Sequence, residues 1–193
     1  MMGKGRVEAF SDGVIAIIIT IMVLEFKTPE DASLPALLHL APHVAIYAMS
    51  FVYVGIYWNN HHHMLHAVKG VSGGILWANL HLLFWLSLVP FVSDWMGEHY
   101  LSPWPVALYG VVLFMNGVAY GILAWRLVRH EGPDSVLARA YRNDRKMIGS
   151  VAAYGIAIAA AWVLPVLSLA LYAGVALAWL VPDRRIEKAL HMT

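Results

Sequence analysis

Polar and ionisable groups stand at two places where the surrounding chain is apolar. The first is Arg6-x-x-x-Phe10-Ser11-Asp12, at the threshold of an apolar run from Val7 to Phe26. The second is Asn59-Asn60-His61-His62-His63, followed by His66, at the close of another such run. A carboxylate buried beside an apolar segment is strongly destabilising unless it finds donors or a counter-charge. Asp12 therefore needs a partner, and the candidates on the next two runs are His61, His62, Trp77 and Asn79. The histidines also suggest metal chemistry. His62 and His66, or His63 and His66, could share a helix face and present ring nitrogens to one ion. Adjacent histidines point in different directions, however, and no acid lies nearby in sequence. Interfacial or networked histidine is the commoner outcome at such a position. His81 is the main further candidate on another run, without an obvious mate.

Catalytic chemistry finds little to work with. There is no cysteine, which removes disulfides, thiolate metal sites and thiol nucleophiles. No Gly-Lys-Ser/Thr phosphate loop, no His-Glu-x-x-His and no convincing nucleophile and base pair occur. The expectation is a protein that is not an enzyme, carries no cofactor and binds no nucleic acid.

The elements that position these groups are membrane helices. The chain has 193 residues, 60% hydrophobic and 13% charged, with a mean hydropathy of +0.64. A soluble domain carries about twice that charged fraction. Six apolar runs approach the length of a span, over 7–26, 37–60, 75–95, 106–128, 147–164 and 166–181. They make one all-α transmembrane domain over 1–193. The last two runs are divided only by a turn around Pro165. Basic residues decide that they are separate. With six spans and a cytoplasmic N-terminus, 12 of the 13 Lys and Arg residues fall inside, including Arg142, Arg184, Arg185 and Lys188. Only Lys27 falls outside, among Glu25, Glu30, Asp31, Asp94 and Glu98. The positive-inside rule thus places both termini in the cytoplasm. Trp58 and Trp125 fit an inner aromatic belt, and Trp95, Tyr100 and Trp104 an outer one.

Within the first run, Ile17, Thr20, Ile21 and Leu24 share one helix face. Asp12 lies about 140° around the helix from Ile17. Facing a symmetry axis, several copies of this stripe would form apolar rings and a hydroxyl ring. Apolar rings gate ions by dewetting, and hydroxyls replace part of an ion's water shell. The same stripe is also what lipid-facing or helix-packing residues look like.

The segment Arg6-x-x-x-Phe10-Ser11-Asp12-Gly13, continued by Ala16-Ile17-x-x-Thr20 and Leu24-Glu25, resembles the first helix of the transmembrane protein 175 family of potassium channels. The likeness continues in Trp58-x-x-His61-His62, in Leu76-Trp77-x-Asn79-Leu80-x-Leu82-Leu83 and in Pro90-Phe91. The resemblance implies a six-helix unit whose first helix lines a central pore, and no Thr-Val-Gly-Tyr-Gly filter occurs here. A single unit implies a prokaryotic homotetramer in the cell membrane, conducting potassium passively with modest preference over sodium. Ile17 would form the constriction, Thr20 a polar layer and Leu24 a second apolar ring, with Ile21 at the shoulder. Arg6, Phe10, Ser11 and Asp12, with His61, His62, Trp77 and Asn79, would form a structural network between helices. The rival reading is a proton- or metal-coupled transporter that uses the histidines of the second and third runs.

Overall fold

The computed structural model describes residues 3–29, 31–141 and 145–180. Glu30, Arg142, Val181, Pro182, Arg184, Arg185 and Lys188 lie outside the described residues. Among the described residues every regular element is a helix: α1 Lys4–Leu24, α2 Leu34–His39, α3 Ala41–His66, α4 Gly73–Ser87, α5 Val89–Glu98, α6 Pro103–Glu131, α7 Val136–Tyr141, α8 Arg145–Ala160 and α9 Pro165–Leu180. Among the described residues three stretches are long and apolar enough to cross a membrane, Lys4–Leu24, Gly73–Glu98 and Pro103–Glu131. The helix α3 has 26 residues, but its last turns carry the Asn and His run. The helices α8 and α9 have 16 residues each within the described part, about 24 Å apiece.

Proline punctuates this arrangement. The run over 75–95 is divided into α4 and α5, because Pro90 has no N–H to give to the preceding turn. Leu88 between them stays in the helical region, so the chain continues past the kink rather than turning away. Pro42 does the same between the short α2 and α3, where Leu40 is the helical junction. At α6, Pro103 occupies the first turn, where its missing donor costs nothing. The helix stops at Gly132, whose φ of 96° suits a residue without Cβ.

The helix α6 is the centre of the bundle and packs against α4, α5, α8 and α9, while α1 packs against α3, α4 and α5. Gly110 permits the closest approach in this core. A Cβ there would stand 2.1 Å from the Tyr172 hydroxyl and 2.8 Å from Ile158. That hydroxyl donates to the Val106 carbonyl at 3.0 Å, one turn away, so Tyr172 is not free to swing aside. Gly110→Ala is expected to destabilise the fold by about 1–3 kcal/mol through overpacking. Reversible unfolding in mixed micelles measures this, and an unchanged midpoint would contradict it.

The two ends of the bundle differ in charge. At one end the Lys4 ammonium donates to the His66 carbonyl at 2.9 Å, and the Lys69 amide donates to Glu131 at 3.1 Å. This brings the start of α1 together with the ends of α3 and α6. At the opposite end Lys27 pairs with Glu98 at 2.5 Å, which raises the Lys27 pKa above its ordinary value. His43 lies 3.2 Å from Asp94 there. Trp104 and Trp162 meet edge to face at this end, with ring centres 5.5 Å apart.

Candidate functional site

The helix α1 presents two faces of opposite fate. Val7, Ser11, Ile15, Ile18 and Met22, spaced four, four, three and four residues apart, are buried. This spacing keeps one stripe against α3, α4 and α5. The remaining surface carries Phe10, Ile17, Thr20, Ile21 and Leu24, all exposed, with Ile17 at 58% and Leu24 at 77%. The chain thus folds with half of an apolar helix uncovered.

The buried face holds a polar seam. Asn79 on α4 donates its amide to the Ser11 hydroxyl on α1 at 2.9 Å. Its carbonyl oxygen meets His61 Nε2 on α3 at 2.6 Å. Ser11, His61 and Asn79 are all buried, so three helices are joined through one amide that uses both its ends.

Asp12 is not part of this chain of bonds. It accepts from the Trp58 indole N–H at 2.9 Å, which corrects the expected choice among His61, His62, Trp77 and Asn79. One residue is about 100° of helix. Ser11 therefore points into the seam while Asp12 turns to the Trp58 side of α3, and the bonds of Asn79 to His61 and Ser11 are already made. His62 stacks on Trp58, with ring centres 6.2 Å apart at 29°, and on His66 at 6.0 Å and 17°. Trp77 is 75% exposed and stands outside the seam. Arg6 is exposed and makes no side-chain hydrogen bond or ion pair with another described residue. Phe10 is exposed as well.

The Asp12 bond predicts a coupled pair of variants. Asp12→Ala and Trp58→Phe are each expected to cost about 1–2 kcal/mol, as one hydrogen bond to a charged group. Their combination should cost little more than either alone, because one interaction is lost once. Full additivity in a double-mutant unfolding cycle would show that the contact contributes nothing.

Thr20 donates its hydroxyl hydrogen to its own helix, to the carbonyls of Ala16 and Ile17, both at 3.0 Å. Its oxygen therefore presents lone pairs outward from the uncovered face. Beside that face runs a crevice lined by Val14, Ile17 and Ile21 of α1 and by Pro90, Phe91 and Asp94 of α5.

A second buried seam was not foreseen from the sequence. Ser93 donates to Ser50 at 2.7 Å, and Ser50 shares a hydrogen bond with the Tyr109 hydroxyl at 2.9 Å. The four- and three-residue offsets that place Ser50 and Tyr109 on the inner faces of α3 and α6 were the available signal. His81 accepts from Trp85 on its own helix at 3.0 Å. Among the described residues no group of three or more His, Asp or Glu residues comes together to hold a metal.

The comparisons with known proteins converge on one family. The profile described as endosomal/lysosomal potassium channel TMEM175 matches residues 6–90, the stretch that contains most of α1 and all three members of the Ser11–Asn79–His61 seam. A protein of Chryseobacterium sp. named a potassium channel is 52% identical over 189 residues, covering 98% of each chain. Another of that name, from Streptomyces collinus, is 34% identical over 190 residues, covering 92% of this chain and 91% of the relative. The crystal structure of a lysosomal potassium-selective channel TMEM175 homologue from Chamaesiphon minutus superposes with a TM-score of 0.82 at 25% identity, covering 93% of this chain and 97% of that one. With relatives that are ion channels rather than enzymes, and with apolar helices built as a membrane protein's are, the chain belongs to the TMEM175 family.

Proposed function

We propose that this protein is a passive potassium channel of a prokaryotic cell membrane, assembled as a homotetramer with the uncovered face of α1 lining a central pore. The single observation that carries the reading is that face: an apolar stripe left exposed by the fold, with one hydroxyl set in it. The names of the relatives support potassium as the permeant ion. In this arrangement four Ile17 side chains form the constriction and Leu24 a second apolar ring. Thr20 lies between them, and its outward lone pairs replace part of a cation's water. Apolar rings of this kind impose dehydration without binding the ion tightly, which suits modest rather than strong selectivity. Potassium sheds water at less cost than the smaller sodium, so the preference runs toward potassium. No bound cofactor enters the scheme.

The topology that goes with it has six spans and both termini in the cytoplasm. It places Lys4, Lys69 and Arg126 inside and the Lys27, Asp94 and Glu98 cluster outside, in accord with the positive-inside rule. Exposed acids on the outer side would concentrate cations near the pore mouth. The assembly has a surface to use: Trp77, Phe84 and Phe91 form an exposed aromatic line along α4 and α5 next to α1. A closed cyclic oligomer would bury such a line against a second copy. The crevice beside Pro90 gives Ile17 and Ile21 room to leave the axis, so opening takes a rotation or tilt of α1 toward α5.

The test is the reversal potential of purified protein in a planar bilayer with potassium on one side and sodium on the other. A potential on the potassium side of zero, independent of any proton or zinc gradient, is the expected result. Flux that vanishes without such a gradient, or with His62→Ala or His81→Ala, would replace the channel by the coupled transporter.

A further inference from the structure

We propose that the groove between α6 and α8, at the end of the bundle where α1 begins, binds an anionic phospholipid. Along the groove α6 carries glycines that let α8 lie close against it. A Cβ at Gly117 would meet Val151 at 3.1 Å, and one at Gly121 would meet Met147 at 3.4 Å. Val151 and Met147 of α8 therefore pack onto the α6 backbone, and the two helices together form the floor of a shallow trough along their contact. Ile122, Trp125 and Ile148 line it toward the outside and are exposed. The trough is apolar along its length, of the kind an acyl chain fills.

Its end is cationic. The Arg126 and Arg129 guanidinium carbons stand 5.3 and 5.5 Å from the centre of the Trp125 ring. Arg145, exposed, opens α8 at the same end. Among the described acids near this end, Glu131 is engaged by the Lys69 amide at 3.1 Å, Asp134 is exposed in the turn after α6, and none lines the groove. A tryptophan at headgroup depth flanked by guanidinium groups at the head of an apolar trough is complementary to a phosphate carried on acyl chains. It is less complementary to a headgroup whose phosphate is offset by its own ammonium, since the described residues lining the groove include no carboxylate to pair with that ammonium. The helix α1 packs on α3, α4 and α5, so this groove is separate from the uncovered face of α1. The inference does not rest on that face being a pore.

The test uses the full chain in detergent, stripped of lipid and titrated with dioleoyl phosphatidylglycerol or dioleoyl phosphatidylcholine. Bound lipid is counted by native mass spectrometry. Phosphatidylglycerol is expected to bind more tightly, and Arg126→Gln and Arg129→Gln each to weaken it about five-fold while leaving phosphatidylcholine unchanged. Both positions are exposed, so these variants fold. Equal affinity for the two lipids, or phosphatidylglycerol binding unaffected by both substitutions, would overturn the proposal. So would displacement of the lipid by inorganic phosphate or glycerol phosphate at comparable concentration, which would make the arginines a site for a free anion.

Discussion

Ile17→Asn is expected to raise potassium current several-fold and to bring the potassium and sodium permeabilities close to equal. The effect is one of hydration. An apolar ring holds too little water for an ion to cross with its shell intact, so each ion pays for dehydration at that level. An amide at the same place donates and accepts hydrogen bonds. It keeps the constriction wet and lets both cations pass hydrated, which removes the difference in dehydration cost that separated them. The substitution is cheap for the fold, because Ile17 is 58% exposed and leaves the buried stripe of Ile15, Ile18 and Met22 untouched. The two readouts therefore separate: unfolding in micelles should match the parent while the bilayer record changes. The parallel variant Leu24→Asn, at the more exposed ring, should have the weaker effect on selectivity if Ile17 is the narrower point. Unchanged conductance and reversal potential in assembled Ile17→Asn protein would move the constriction off this face.

Much of this site was legible in the sequence, and the part that was not shows what sequence lacks. The class of fold followed from apolar run lengths, and the charge asymmetry of the two ends from where Lys and Arg fall. Ser11, His61 and Asn79 were singled out as polar groups inside apolar runs, and the fold joins those three. The partner of Asp12 was missed because helix periodicity gives angles within a helix and not the rotation of one helix against another. Trp58 and His61 differ by three residues and so by little in direction, and only packing decides which of them meets Asp12. Trp58 figures in the sequence as an inner-belt residue and in the Trp58-x-x-His61-His62 motif, and neither reading names it as the partner of Asp12. The prolines at 42 and 90 were visible, yet whether a proline ends a helix or merely bends it depends on what takes up the freed carbonyl. Trp77 illustrates the converse: a residue type that suits a network was left by the fold on an exposed line of α4.

Asn79→Leu is expected to be the most damaging single change in the described part of the bundle, at about 2–4 kcal/mol. The side chain is close in size, so the effect is one of hydrogen bonding rather than of volume. Asn79 alone bridges the other two members: its amide serves Ser11 at 2.9 Å and its oxygen serves His61 at 2.6 Å. Leucine strands both at once, and a buried polar group without a partner costs about 1–3 kcal/mol. Ser11→Ala removes one bond and leaves one amide hydrogen unpaired, so it should cost roughly half as much. The ordering matters more than the values. If bonding through Asn79 holds α1 to α3 and α4, then Asn79→Leu must exceed Ser11→Ala, and the double variant must fall short of their sum. Equal losses from the two single variants would mean that His61 contributes nothing through this amide. The consequence for conduction follows from position. The seam fixes the rotation of α1 about its own axis, and that rotation decides which residues stand on the uncovered face. Loosening it should therefore broaden the current amplitudes of Asn79→Leu channels rather than shift their reversal potential, whereas Ile17→Asn shifts the potential and leaves stability alone. Two substitutions on facing sides of one helix thus separate the role of its buried stripe from that of its open one.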